Sequence, residues 1–347
     1  MLPSEIMAIR TGTAFSNADH VSAVRLSGDD AFDVLDRICS CDLYLQDAQM
    51  RFALLLDEQG HAVADLYVCR DDEDYIVLAE GISREALVDR FRNGNARVDV
   101  RHLGDDYDMI SLHGPFAWEF LAEFAGPDVI GQPYLSLCHL DGMVCFRGGK
   151  TGEYGYDLLI PKQEVASVRE KMADVGRAFD LAHVSLEAVD ACSFENWFFN
   201  ARKEGQLGLG PLELGLQWRV SYAKEYHGSS ALASRRREGA KQRSVCAVSR
   251  LSLPTSAEVV SPAGVVVGRV LRSEHSPIID AHVNMVLLDI AYAYAGIDSY
   301  CVRPTGGGES IPILTVSPPI INNRSLYVNP QKHTYAARET YGFPPLL

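Results

Sequence analysis

A carboxylate on an otherwise apolar helical stretch is the residue of this sequence with the clearest chemical consequence. Glu195 lies in a segment with helical spacing, and its neighbours three and four positions away are Ala191, Cys192, Phe198 and Phe199. A carboxylate on such a face costs several kcal/mol unless it is paired or hydrogen-bonded. Glu195 is therefore expected to pair with an arginine, to reach solvent, or to accept hydrogen bonds from a ligand.

A glycine-rich segment at 147–158 is a second candidate for ligand contact. Its glycines allow positive φ and close backbone approach, which suits a turn beside a ligand and equally a purely structural hairpin. Tyr154 and Tyr156 flank the turn, and strand alternation places them on the same side. Trp197 follows Glu195 by two residues, and its side chain can line a ligand-binding site or belong to the core.

A basic run at 235–237 is the third feature with two interpretations. Arg235, Arg236 and Arg237 precede Lys241 and Arg243 in a polar stretch at 234–243. Such a run is typical of a solvated linker at a domain boundary. In an acidic protein it can also hold an anionic group of a ligand.

Composition limits the classes of function. The 347 residues include 32 basic and 46 acidic side chains, which give a net charge of −14 and disfavour binding to nucleic acid or to an anionic membrane. No apolar run approaches the length of a membrane span, and the first residues lack the pattern of a secretory signal. We therefore expect a cytoplasmic protein.

Cysteine and histidine spacing gives no indication of a metal site. The eight cysteines include no C-x-x-C pair, and the ten histidines are scattered. Several cysteines lie in apolar runs, as buried free thiols of a reducing compartment do. We expect no metal.

The elements that must position these residues read as an α+β fold. Helices are predicted at 28–39, 83–91, 115–124, 162–175 and 185–201, and strands lie between them in antiparallel hairpins. From 244 to 316 the pattern is all strand, which predicts a small β-barrel or sandwich, with a hairpin turn at 306–308. Residues 317–347 have no periodicity and are expected to form an irregular tail that wraps onto the body or a partner.

Three segments together resemble the glycine-cleavage T-protein (aminomethyltransferase) family. Residues 147–158 (RGGKTGEYGYDL) are similar to the family's R-T-G-Y-T-G-E-x-G-[FY]-E-L turn. Residues 187–195 (EAVDACSFE) are similar to the end of its G-x-x-A-R-D-x-L-R-x-E helix, and residues 211–218 (PLELGLQW) to P-L-E-A-G-L-x-W. The segments occur in the family's order and at its spacing, and the resemblance covers roughly residues 20–316.

The resemblance implies a fold, a cofactor and site residues. It implies a three-domain arrangement: interleaved folate-binding units of residues 1–50 plus 135–235 and of residues 51–134, and a C-terminal β-barrel at 244–316. It implies tetrahydrofolate as the cofactor, with Glu195 at the family's pterin-binding position. A carboxylate can accept both of the parallel N–H donors of a pterin ring. Glu195, Trp197, Tyr154 and Tyr156 are the expected cofactor-binding residues.

The sequence departs from the family where the family carries its acid/base aspartate. In an alignment without gaps, the Asn and the Asp of the family's V-N-A-x-N-x-x-K-D segment fall on Ala79 and Ala86. Aminomethyl transfer needs proton management at the leaving amine and at the attacking nitrogen. The sequence therefore disfavours standard glycine cleavage, and Asp65 and Glu85 are the remaining candidates for the acid/base group.

Three functions remain open. The first is a tetrahydrofolate-dependent transferase or demethylase, which moves a methyl, methylene or formimino-level carbon to or from a small specialised substrate, in secondary metabolism for example. The second is a non-enzymatic folate-binding protein. Such relatives carry a K-G-C-x-x-G-Q-E motif, and the corresponding residues 203–206 of this chain (KEGQ) contain no cysteine. The third is a docking protein that has lost folate and acts with a protein partner. Fold similarity alone does not decide among them.

Overall fold

The computed structural model describes residues 2–92, 97–304 and 308–347, and within them it contains eight α-helices and seventeen β-strands. The helices are α1 (Leu2–Thr11), α2 (Ala31–Ile38), α3 (Arg84–Arg92), α4 (Ala117–Ala125), α5 (Val165–Gly176), α6 (Leu186–Glu195), α7 (Ala201–Glu204) and α8 (Ser229–Glu238).

The strands form two open sheets and one closed barrel. They are β1 (Ala14–Asn17), β2 (Ser22–Ser27), β3 (Met50–Leu56), β4 (Ala62–Asp71), β5 (Asp74–Glu80), β6 (Asp99–His102), β7 (Tyr107–His113), β8 (Ser136–Leu140), β9 (Met143–Gly148), β10 (Gly155–Pro161), β11 (Ala182–His183), β12 (Gln242–Ser249), β13 (Glu258–Val260), β14 (Val266–Ser276), β15 (Ala281–Asp289), β16 (Tyr300–Arg303) and β17 (Ile311–Val316).

The two open sheets pack face to face. One is antiparallel, with the order β3-β4-β5-β2-β6, and the other has the order β11-β1-β7-β10-β9-β8. Their facing side chains form one apolar layer, which includes Ile76 and Leu78 of the first sheet and Phe146 and Leu159 of the second. Helices cover both outer faces: α2 and α3 pack on the first sheet, and α4 and α5 on the second. Because both faces of the central strands are buried, these strands read as continuous apolar runs.

The C-terminal strands close into a six-stranded barrel with the order β12-β15-β14-β13-β16-β17. The barrel encloses its own core, which includes Val259, Val286 and Val302. A further apolar cluster joins the barrel to the body, where Leu271 and Met285 pack with residues of β3 and α6. The α+β class and the C-terminal barrel are as predicted, except that positions 306 and 307 of the predicted hairpin turn lie outside the described residues.

The chain visits the two open sheets in turn. Strand β1 belongs to the six-stranded sheet and β2 to the five-stranded one, and the chain returns to the six-stranded sheet at β7. The predicted domain boundaries stay a prediction, since the two sheets share one apolar layer. No helix among the described residues is long and apolar enough to cross a membrane.

Two local predictions were wrong. The basic stretch at 234–243 does not begin as a linker, because residues 234–238 belong to α8. There Arg235 lies 3.4 Å from Glu213, and the guanidinium of Arg236 lies 4.0 Å from the ring centre of Tyr222. The helix predicted at 185–201 ends at Glu195, because Trp197 adopts a φ of 62° that a right-handed helix excludes.

The chain's two ends lie against the body. Helix α1 was not predicted; Ile6 and Ile9 pack against α6. The tail contains short 3-10 turns, and Val328 and Tyr335 enter the core beside α4. The predicted wrapping of the tail onto the body is therefore observed.

Candidate active site

Glu195 forms its hydrogen bonds within the chain. The side chain is 2 % exposed. Its Oε2 accepts a hydrogen bond from Nη2 of Arg10 at 2.6 Å, and its Oε1 accepts one from Oγ of Ser276 at 2.6 Å. Of the interpretations open from the sequence, the structure shows the pairing with an arginine.

Arg10 is the centre of a buried network. Its guanidinium also donates to the carbonyl oxygens of Thr151 and Cys192, at 2.5 and 3.0 Å, and to Oδ1 of Asn323 at 3.1 Å. Glu153 lies 3.6 Å away and is itself buried. We call Arg10, Glu153, Glu195 and Asn323 the arginine cluster. It connects α1, the glycine-rich turn, α6 and the tail.

The three aromatic candidates pack against other side chains of the protein, Tyr156 fully buried and Tyr154 and Trp197 partly buried. Tyr156 is 1 % exposed and packs beneath α4 and α5, and the hydroxyl of Tyr154 donates to the carbonyl of Val328 at 3.1 Å. The guanidinium of Arg147 lies within 6 Å of both tyrosine rings, so the two are on one side, as alternation predicts. Trp197 stacks on Phe194 with ring centres 5.7 Å apart. These contacts are with the chain itself.

A polar cavity lies between the six-stranded sheet, strands β4 and β5, and helices α6 and α7. The cavity is small, with a volume of about 50 Å³. Glu195, Trp197, Tyr154 and Tyr156 are not among its lining residues. The lining residues are Ser16, His20, Val21, Tyr67, Glu80, Ser111, His113, Gly149, Lys150, Asp157, Val189, Asp190, Ser193, Phe199, Asn200 and Arg202.

An alternating series of charges runs from the wall of the cavity into the body of the protein. Nζ of Lys150 lies 2.8 Å from Oδ2 of Asp65 and donates to Oε1 of Glu80 at 2.5 Å. Asp65 also pairs with Arg219, and Arg202 lies 3.4 Å from Glu80. Burial alone would raise the pKa values of Asp65 and Glu80, but the neighbouring cations outweigh it and hold both values below the ordinary range. Both carboxylates therefore stay ionised.

This series extends to α6, where Nζ of Lys203 also lies 3.6 Å from Oδ2 of Asp190. Asp190 accepts hydrogen bonds from Arg202 and from Nδ2 of Asn200, the latter at 3.0 Å. Three carboxylates thus alternate with three cations; the carboxylates are Asp65, Glu80 and Asp190, and the cations are Lys150, Arg202 and Arg219.

Asp157 is different from these paired carboxylates. It lies on β10 and faces the cavity, where its Oδ1 accepts a hydrogen bond from Oγ of Ser111 at 2.5 Å. Among the described residues no cation forms an ion pair with it. Burial raises the pKa of Asp157 to about 6, and the hydrogen bond from Ser111 only partly opposes this. A carboxyl group with such a pKa can both release and accept a proton near neutral pH.

His113 is a second cavity residue without a full set of partners. Its Nε2 lies 3.0 Å from Oγ of Ser16, and its buried Nδ1 has no hydrogen-bond partner within the described chain. Burial and the nearby His20 lower the pKa of His113 to about 4. The imidazole is therefore neutral at physiological pH.

His113 should make folding stability depend on pH. Its pKa is about 4 in the folded chain and about 6.5 when unfolded, so protonation favours the unfolded state. The free energy of unfolding should fall by up to about 3 kcal/mol from this group as the pH drops from 6.5 to 4. In urea denaturation over this range, His113→Gln should lose less stability than the wild type. The exposed His275→Gln is the control, and identical pH slopes for wild type and His113→Gln would contradict the assignment.

The two sequence-based acid/base candidates lie in different places. Asp65 is buried behind Lys150, one ion pair from the cavity. Glu85 is exposed on the first turn of α3 and lines a shallow groove with Arg84 and Asp105, apart from the cavity. Ala86, the gap-free match for the family's aspartate, also lies outside the cavity, in a groove beside Arg37 and Asp57.

Sequence reasoning missed Asp157, His113, Glu80 and Lys150. One signal was available: Asp157 is a single carboxylate between Tyr156 and Leu158 in an otherwise apolar strand. Its pairing with Ser111 depends on the register between β7 and β10, which the sequence does not reveal.

Comparison with known proteins agrees with this architecture. Residues 1–224 match the family described as the GCVT N-terminal domain. An aminomethyltransferase of Flavobacterium psychrophilum is 23 % identical over 302 residues, covering 84 % of each chain. An aminomethyltransferase of Thermoanaerobacter pseudethanolicus is 25 % identical over 304 residues, covering 84 % of this chain and 83 % of the relative.

A solved structure has the same fold. The crystal structure of the glycine cleavage system aminomethyltransferase T from Bartonella henselae superposes with a TM-score of 0.81 at 20 % identity, covering 93 % of this chain and 90 % of that one. The three-domain T-protein arrangement implied by the sequence resemblance is thereby confirmed. Since the matched domain spans more than half of the residues, the chain belongs to the glycine-cleavage T-protein family.

Proposed function

We propose that the protein is a tetrahydrofolate-dependent one-carbon transferase whose reaction takes place in the polar cavity. The observation that carries this proposal is the carboxyl group of Asp157, which faces the cavity without a cationic partner and has a pKa of about 6. Membership of a family whose relatives are named aminomethyltransferases supports the reaction class. The cytoplasmic location predicted from the sequence is part of this proposal.

The polar groups of the cavity are of the kinds that a pterin requires, because its flat ring presents hydrogen-bond donors and acceptors at its edge. Nδ1 of His113 is buried without a partner, and Asp157 uses only one oxygen in its bond to Ser111. Tyr67 adds an aromatic face and a hydroxyl whose hydrogen bond to the Gly149 carbonyl is long, at 3.4 Å. These groups would hold tetrahydrofolate, whose N5 carries or accepts the one-carbon unit.

Asp157 has the properties required for the proton transfers. In its neutral form it donates a proton to a leaving amine, and in its ionised form it accepts one from an attacking nitrogen. Glu80 and Lys150 affect the pKa of Asp157 in opposite directions, and burial is the largest cause of its rise. We propose that Asp157 takes the acid/base role of the family's missing aspartate, in place of Asp65 or Glu85.

The substrate class follows from the cavity. Its limited space and its charged wall favour a small polar molecule that carries an N-methyl or aminomethyl group. A specialised donor of this kind, processed at the methyl or methylene level, fits a site that differs from that of glycine cleavage. We propose a role in a specialised pathway on the same basis.

Calorimetric titration with tetrahydrofolate tests the cofactor. The wild type should bind, and Val189→Phe, which adds a ring to the α6 side of the cavity, should weaken binding by at least about tenfold, or 1.4 kcal/mol. Val265→Phe, on an exposed turn of the barrel, is the matched control and should bind as the wild type does.

The same titration separates the alternatives. Binding followed by conversion of a methylated amine, seen as a new folate product by liquid chromatography, supports the transferase. Binding without conversion of any methyl or methylene donor favours a folate-binding protein. A folded wild type that does not bind tetrahydrofolate would contradict the proposal and favour a docking protein.

A further inference from the structure

Two cysteines lie directly opposite one another on neighbouring strands. Strands β8 and β9 form a hairpin whose turn is Asp141 and Gly142, and Cys138 on β8 is in register with Cys145 on β9. Directly opposed residues of an antiparallel pair have Cα atoms about 4.5–5.5 Å apart, with side chains on the same face. That separation is within the range a disulfide spans.

The two thiols share one hydrogen-bond acceptor. Oε1 of Gln132 lies 3.5 Å from Sγ of Cys138 and 3.7 Å from Sγ of Cys145. Both sulfur atoms therefore point toward one side-chain oxygen on the same face of the hairpin.

Access to the pair is asymmetric. Cys138 is half-buried and lines a wide surface groove together with Gln132 and Tyr134, whereas Cys145 is fully buried beneath it. A small oxidant can thus reach Cys138 first, with Cys145 adjacent to resolve the product. Cys39 and Cys41, the two cysteines closest in sequence, are both buried.

We propose that Cys138 and Cys145 form a peroxide-sensitive dithiol site, separate from the polar cavity. The Cys138 thiolate attacks hydrogen peroxide, the O–O bond breaks, and a sulfenic acid forms with release of one water after proton uptake. The Cys145 sulfur then attacks the sulfenic sulfur, the S–S bond forms, and a second water leaves. The two thiols together give up two electrons and two protons to reduce one peroxide to two waters.

The hydrogen bonds of Gln132 define what oxidation changes locally. Its Nε2 donates to the backbone carbonyls of Ser136 and Cys145, at 3.1 and 3.4 Å. The backbone carbonyl of Gln132 accepts a hydrogen bond from Arg147. A disulfide removes both thiol donors from Oε1 of Gln132. Oxidation therefore changes the hydrogen bonds that hold the loop containing Gln132, which forms one edge of the groove.

Peptide mapping of the full-length protein tests the site. After brief treatment with hydrogen peroxide and alkylation of the remaining thiols, mass spectrometry should find two of the eight thiols lost in a Cys138–Cys145 cross-linked peptide. The cross-link should disappear on reduction with dithiothreitol. Cys138→Ser and, separately, Cys145→Ser should abolish it, while Cys301→Ser, a half-buried cysteine of the barrel, should leave it intact.

The wild-type map is decisive even if a variant folds poorly. Preferential cross-linking of any other cysteine pair would overturn the proposal. Oxidation of Cys138 to sulfinic acid without a cross-link would also overturn it, because Cys145 would then not be the resolving thiol. Circular dichroism of each variant confirms that loss of the cross-link is not due to unfolding.

Discussion

Asp157→Asn should lower the turnover number of one-carbon transfer by about two to four orders of magnitude while tetrahydrofolate still binds. An amide keeps the size and the hydrogen-bonding shape of the carboxyl group, so the contact with Ser111 and the shape of the cavity are retained. An amide does not exchange protons near neutral pH. The measurement is single-turnover conversion of a methylated amine, followed through the folate product, beside a calorimetric affinity.

The wild-type pH profile gives an independent readout. An inflection near pH 6 should appear in the turnover number, from the pKa of Asp157, and should be absent from the residual activity of the variant. Asp108→Asn, on the exposed end of neighbouring β7, is the matched control and should behave as the wild type does. Full activity in Asp157→Asn would remove Asp157 from the chemistry but leave the folate titration unaffected.

Glu195→Ala should destabilise the protein by about 3–5 kcal/mol, because it leaves the buried guanidinium of Arg10 without its nearest carboxylate. It also removes the acceptor of the Ser276 hydroxyl. Urea denaturation measures the change in the free energy of unfolding. Glu258→Ala, which breaks a half-exposed pair with Arg303, is the matched control and should cost less than about 1 kcal/mol.

Glu195→Gln shows whether the loss comes from the unpaired charge, because it keeps the size of the side chain and an acceptor for Ser276. It should be destabilised nearly as much as Glu195→Ala, since Arg10 loses the same negative charge. A much smaller loss in Glu195→Gln would point to lost packing instead of charge pairing. Tetrahydrofolate affinity, measured where Glu195→Ala is folded, tests the pterin role: unchanged affinity supports a structural Glu195, and lost affinity supports the resemblance-based prediction.

Local elements of the fold were predictable because they follow local patterns. The hairpin from β3 to β4 was visible in two apolar runs around Asp57–Gly60, and the barrel in short strands between Pro, Gly and Asn turns. The end of α6 was not predictable, since no local pattern in the sequence indicates the positive φ of Trp197. Helix α8 was missed because its run of arginines is as typical of a linker as of an exposed helix.

The site was predictable only in part, because its residues come from distant positions in the sequence. Apolar neighbours correctly indicated that Glu195 needs a partner, but the partner, Arg10, lies 185 positions earlier in the chain. The cavity groups come from β5, β7, β10 and α6, and only the registers between the strands bring Ser111 opposite Asp157. Neither long-range pairing nor register can be read from a single sequence.

The arginine cluster has a consequence for folding during biosynthesis. Glu153 accepts hydrogen bonds from the backbone N–H groups of Arg324 and Ser325, at 3.1 and 2.8 Å, and from the Ser325 hydroxyl at 2.6 Å. On the ribosome these donors are made long after Arg10, Glu153 and Glu195, so the nascent body must hold those charges with an incomplete set of partners. The tail therefore completes an ionic centre that includes Arg10 of α1, and these buried charges have all their partners only once the tail has packed against the body.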